Sequence, residues 1–158
     1  MDSSPFAGES HDLERFVRAQ AAIYEQALAE LTRGRKQSHW MWFVFPQIAG
    51  LGFSDMSRRY ALANAAEARA YLEHPVLGPR LLACFAATLA VDGRTAHEIF
   101  GSPDDLKLRS CATLFAAVSE PGSIFQLVLD RYFGGRPDVE TQRLLREADS
   151  APGPRDGV

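Results

Sequence analysis

Ser102-Pro-Asp-Asp-Leu-Lys-Leu-Arg-Ser-Cys-Ala-Thr-Leu-Phe-Ala-Ala-Val-Ser119 carries its own helix signals. Ser102 is a capping residue, Pro103 suits a first helical position, and Asp104 and Asp105 place negative charge at the positive end of the helix dipole. Leu106, Ser110, Thr113, Leu114 and Ala117 then recur at helical spacing, which predicts a helix to about Ser119. Ser110 and Thr113 fall where a core should be, with Lys107 beside them. Their hydroxyls either bond back to the preceding turn or, with the ammonium, line a polar pocket.

The same reading extends in both directions. Upstream, Asp12 opens a stripe of Leu13, Phe16, Val17, Tyr24, Ala27, Leu28 and Leu31 that Gly34 ends, which predicts one helix. Gln20 falls inside that stripe, as a satisfied core amide or a ligand contact. Ser54 and Asn64 cap two further helices, to about Leu62 and His74. Pro75 opens a long one, and Thr95 with Glu98 forms a capping box for a short turn ended by Gly101. Downstream, helices are expected over 121–133 and from Asp138 to about Ala148. No stretch alternates as a strand does. The fold expected is all-α, a single orthogonal-type bundle of about seven to eight helices over residues 11–149. Disordered ends are expected at 1–10 and 150–158.

The 158 residues suffice for one domain with a core. A net charge of −3 argues against a nucleic-acid binder. No apolar run reaches the length of a membrane span, and no leader pattern opens the chain, so a cytoplasmic location is expected. Cys84 and Cys111 read as buried thiols in a reducing compartment. Arginines number fifteen and lysines only two, Lys36 and Lys107. A lysine kept against that preference suggests a position that needs a compact ammonium.

Both tryptophans stand in Ser38-His39-Trp40-Met41-Trp42-Phe43-Val44-Phe45-Pro46-Gln47. Pro46 limits any helix here to roughly 38–44. If one helix covered Lys36, His39, Trp40 and Phe43, their spacing would put a cation, an imidazole and two rings on one face. That face suits an anionic ligand with a flat ring: lysine attracts phosphate and an indole stacks. If Ser38 is instead the cap, Lys36 lies in the preceding loop. The tryptophans are equally explained as core. Walker, dinucleotide-glycine, zinc-helix and nucleophile-elbow patterns are absent, and neither a metal site nor a cofactor is expected.

Taken together, these residues resemble the bacterial and fungal family known as domain of unknown function 1810. The resemblance spans about Asp12 to Leu145. It rests on Arg15-Phe16-Val17 with Gln20, on Lys36 and Ser38-His39-Trp40-Met41-Trp42-Phe43, and on Phe45-Pro46-Gln47 with Gly50-Leu51-Gly52. It continues through His74-Pro75-Val76-Leu77-Gly78 and Ile99-Phe100-Gly101. It closes with Asp105, Lys107, Ser110, Thr113-Leu114-Phe115, Gly135 and Asp138. The resemblance implies a compact helical domain and no established reaction. Some members carry the label calpastatin, which implies protease inhibition; a disordered, repeat-rich inhibitor does not match this apolar, periodic chain.

Two functions are therefore expected as alternatives. One is a site for a small anionic, phosphorylated or nucleotide-like molecule. Lys36 and Lys107 would bind phosphate, Trp40 or Trp42 would stack, and Gln20, Gln47, Ser110 and Thr113 would orient the ligand. His39 would be the acid–base group of any reaction. The other is a protein-interaction module docking a partner on the aromatic run. The sequence leaves open whether the protein is an enzyme and what its oligomeric state is.

Overall fold

The computed structural model describes residues 12–150. Among them are ten helices: α1 (Glu14–Ala21), α2 (Tyr24–Thr32), α3 (Met41–Val44), α4 (Asp55–Arg59), α5 (Ala65–Glu73), α6 (Leu77–Leu89), α7 (Ala96–Phe100), α8 (Asp104–Ala117), α9 (Ile124–Phe133) and α10 (Val139–Ser150). The class is all-α, with more helices than the seven to eight expected. The expected disordered ends lie outside the described residues, except for Ser150, which closes α10.

Part of the excess comes from the stripe between Asp12 and Gly34. Ala22 and Ile23 leave the helical ladder, and the stripe divides into α1 and α2. The cause is tertiary. α1 packs on α3 whereas α2 packs on α6, and one straight rod cannot serve both neighbours. The rest of the excess is α3, a single turn.

Three local start signals hold, whereas Asp12 and Ser102 do not cap: α1 follows Leu13 and α8 follows Pro103, neither with a side-chain capping bond. Ser54 accepts from the Ser57 N–H, Asn64 from the Glu67 N–H, and Thr95 with Glu98 closes a capping box. α6 starts at Leu77, later than Pro75 suggests, because His74 Nδ1 accepts from the Val76 and Leu77 N–H groups. Gly78 then allows the first turn of α6 to press on the end of α5. A Cβ there would lie 2.1 Å from the Leu72 carbonyl oxygen.

α8 and α6 are the central pair. α8 packs against α5, α7, α9 and α10, and α6 against α2, α5 and α9. Aromatic rings thread the core between them. Phe16 meets Tyr71 at 5.2 Å between centroids, Tyr71 meets Phe115 at 5.5 Å, and Phe115 meets Phe125 at 5.5 Å. The string continues through Phe85 at 4.7 Å and Phe45 at 5.2 Å, and ends on Trp40 at 6.0 Å. Such tilted and edge-on pairs each add about 1 kcal/mol beyond the area they bury.

One stretch of extended backbone positions the site. The Leu62 N–H donates to the Gln47 carbonyl and the Ala49 N–H to the Leu62 carbonyl, at 2.9 and 2.8 Å. This isolated parallel bridge pins the loop after Pro46 to the segment between α4 and α5.

Candidate functional site

The aromatic run is held from below by a buried carboxylate. Glu30, on the inner face of α2, is 1% exposed. Its Oε1 accepts from the Gln37 N–H, the Ser38 N–H and the Trp40 Nε1–H at 2.8, 3.0 and 2.9 Å. Its Oε2 accepts from the Ser38 hydroxyl at 2.6 Å and the Gln26 amide at 3.1 Å. Burial pushes the Glu30 carboxyl up. The Ser38 hydroxyl, the two backbone N–H groups and the indole outweigh it and hold the carboxyl down at about 2.

This node decides between the two readings of the run: no single helix gathers Lys36, His39, Trp40 and Phe43 on one face, and Lys36 lies in the preceding loop, although the helix starts after Trp40 and not after Ser38. Residues 36–40 wrap around Glu30 as non-helical chain, and α3 starts only at Met41. His39 is exposed, with no hydrogen bond or ion pair among the described residues. Trp40 is fully buried and its indole N–H is committed to Glu30, so a stacking role for it is corrected to a core role. Phe43 and Phe45 are buried too, which leaves Trp42 as the one partly open tryptophan or phenylalanine of the run.

The two lysines do converge, through a residue read from sequence only as a helix-start acid. Lys36 Nζ lies 2.9 Å from Asp104 Oδ2, and Lys107 Nζ lies 3.5 Å from Asp104 Oδ1. Each ammonium also sits over an indole, Lys36 over Trp40 at 4.9 Å and Lys107 over Trp42 at 5.1 Å. Lys36, 8% exposed, is further held by donating to the Ser38 carbonyl at 2.5 Å. One carboxylate thus serves two cations, leaving an uncompensated positive charge. Lys107 is the more open of the two, at 21%.

Beside Lys107 a cleft of about 230 Å³ opens between the loop after Pro46 and the first turns of α8. Its polar walls are Gln47, Ser57, Lys107, Ser110 and Asp138, and Leu51, Leu106 and Pro103 supply apolar wall. Gly52 also lines it, where a Cβ would lie 2.5 Å from the Ser57 hydroxyl oxygen. Ser110 donates to the Leu106 carbonyl at 3.2 Å. Asp138 caps α10, its Oδ2 accepting from the Thr141 N–H at 2.9 Å and the Thr141 hydroxyl at 2.5 Å.

Of the expected site residues, Gln47, Lys107 and Ser110 share this cleft, Trp42 lies half-buried under Lys107, and Lys36 reaches the group through Asp104. Thr113 and Gln20 do not join them. Thr113 donates to the Arg109 carbonyl and accepts the Asp138 N–H, both at 2.8 Å, and so seats the loop carrying Asp138. Gln20 is a core amide. It donates to the Phe43 carbonyl at 2.7 Å and the Tyr71 hydroxyl at 3.0 Å, and accepts from Arg80 at 3.4 Å. Glu30, Asp104 and Asp138 are what the structure adds to this neighbourhood. Glu30 had a signal, an acid on the inner face between Ala27 and Leu31; the two aspartates look like ordinary helix-start acids.

The two core thiols are held in their protonated, unreactive form. Cys84 and Cys111 are free and buried, and burial pushes the Cys84 thiol up to about 12 and the Cys111 thiol up as well. Among the described residues no helix is long and apolar enough to cross a membrane.

The family described as "Protein of unknown function (DUF1810)" matches residues 10–145. The crystal structure of the conserved hypothetical protein Rv1873 from Mycobacterium tuberculosis is similar, at 50% identity and a TM-score of 0.84. That likeness covers 85% of this chain and 96% of the other. No curated protein matches the chain. With nearly all of its helices inside the matched span, the chain belongs to the DUF1810 family of proteins of unknown function.

Proposed function

We propose that the protein binds a small ligand through an anionic group in the cleft beside Lys107. One observation carries the reading: Gln47, Lys107 and Ser110 line one concave volume, and Lys107 shares its carboxylate partner Asp104 with a second lysine. Lys107 supplies the charge, Gln47 and Ser110 supply orienting polar atoms, and Lys36 occupies one oxygen of Asp104 so that Lys107 is not fully neutralised. The cleft is smaller than the roughly 300–1,000 Å³ of sites for drug-sized ligands. It suits a small carboxylate or a phosphoryl group, not an enclosed nucleotide. No acid–base step is assigned to His39, which is exposed and not among the cleft's lining residues.

A thermal-shift screen with inorganic phosphate, sugar phosphates and small carboxylates tests this. A binder at about 100 times its dissociation constant adds about 2.7 kcal/mol of stability. Lys107→Ala is expected to weaken such a binder at least tenfold. Lys36→Ala weakens it less, by freeing Asp104 to neutralise Lys107. Unchanged affinity in Lys107→Ala overturns the reading.

A further inference from the structure

The cleft carries more than a cation. Asp138 lines it as well, yet no ion pair joins Asp138 to Lys107. Asp138 Oδ2 is engaged by Thr141, while Oδ1 has no hydrogen bond or ion pair among the described residues. A cation and an anion thus face the same small volume without neutralising each other. A purely anionic ligand would meet repulsion from Asp138, and a purely cationic one from Lys107. The complementary ligand carries both charges.

A third feature is apolar. Five large hydrophobic side chains are exposed among the described residues; one lines this cleft and two are chain neighbours of its lining residues. Leu106 lines it and is 55% exposed; Phe53, 74% exposed, and Val139, 70% exposed, follow directly on the lining residues Gly52 and Asp138. Apolar side chains left in water beside a charged cleft favour a ligand with a hydrocarbon group next to its charges.

We infer that the cleft is a site for a free α-amino acid with an apolar side chain. Its carboxylate meets Lys107 and the Gln47 amide, its ammonium meets Asp138, and its side chain lies on Leu106, Phe53 and Val139. The inference rests on the cleft being a ligand site, as proposed above, and replaces a generic anion with a zwitterion.

Calorimetric titration of the whole protein with L-phenylalanine, 3-phenylpropionate, L-alanine and inorganic phosphate tests it. L-Phenylalanine is expected to bind at least tenfold tighter than 3-phenylpropionate, which lacks the amine, and tighter than L-alanine. Asp138→Asn keeps a capping side chain on α10 and is expected to erase the preference for the amine. Phe53→Ser with Val139→Thr, both on exposed positions, is expected to erase the preference over L-alanine. If 3-phenylpropionate binds as tightly and Asp138→Asn tightens both ligands, the site is anion-specific: the zwitterion fails and the proposed function stands. If phosphate alone binds, the result is the same. If none of the four probes binds, both fall. A dimer in sedimentation that Phe53→Ser with Val139→Thr dissolves would assign the apolar margin to self-association and overturn the inference.

Discussion

The indole N–H of Trp40 donates to Glu30 Oε1 at 2.9 Å, and both side chains are shut away from solvent. The bond ties the aromatic run to α2, and three further donors from Gln37 and Ser38 fix the turn that follows Lys36. Glu30→Gln keeps the volume but places an amide among donors that need an acceptor. It is expected to cost about 3 kcal/mol in chemical denaturation followed by tryptophan fluorescence. A loss under about 1 kcal/mol would mean the node matters little to stability.

The same group sets an acid response. Its folded carboxyl titrates at about 2, below the ordinary 4.5. A depressed carboxyl contributes its full stabilisation above the ordinary value and loses it as pH falls through the folded one. Stability is therefore expected to drop between about pH 4.5 and 2, with Glu30→Gln falling less over that window. Parallel curves for the two proteins would assign the acid loss elsewhere.

Asp104 is the counter-ion for both lysines. Asp104→Asn leaves nearly buried Lys36 without its charge partner, and is expected to cost about 2 kcal/mol or more. In a double-mutant cycle, Lys36→Met on that background should recover part of the loss, with a coupling of about 1 kcal/mol. Strict additivity of the two changes would deny the pair any energetic role.

Gly78 marks a contact that no side chain survives. A methyl group 2.1 Å from the Leu72 carbonyl forces α6 away from α5. Gly78→Ala is expected to cost about 3 kcal/mol through overpacking, despite the better helix propensity of alanine. A neutral or stabilising result in thermal unfolding would show that the two helices can separate without loss.

Much of the helical order was legible because its signals are local. Asn64, Ser54 and the Thr95–Glu98 box each mark a start within one turn of chain. The break at Ala22–Ile23 was not, since α3 and α6, which draw α1 and α2 in different directions, are encoded far away. The site was legible in its residue types, as with Lys107, Ser110 and Gln47. It was not legible in its geometry. Treating residues 36–43 as one helix put His39 beside Lys36, whereas the buried carboxylate of Glu30 holds that stretch as a loop. Asp104 and Asp138 perform the capping and dipole roles that their positions suggest. Their second roles, bridging two lysines and facing a cleft, exist only once α8, α10 and the loop after Pro46 meet.

The string of rings from Phe16 to Trp40 has a consequence for how the molecule comes apart. A region with few core contacts can open alone, but Trp40 is the terminal link of a string joining helices from both ends of the chain. Its indole proton should exchange with solvent only when the whole domain unfolds, at the global free energy and not at that of a local fluctuation. Proton exchange at this one nitrogen then serves as a gauge of cooperativity, against which opening of the cleft loop can be timed separately.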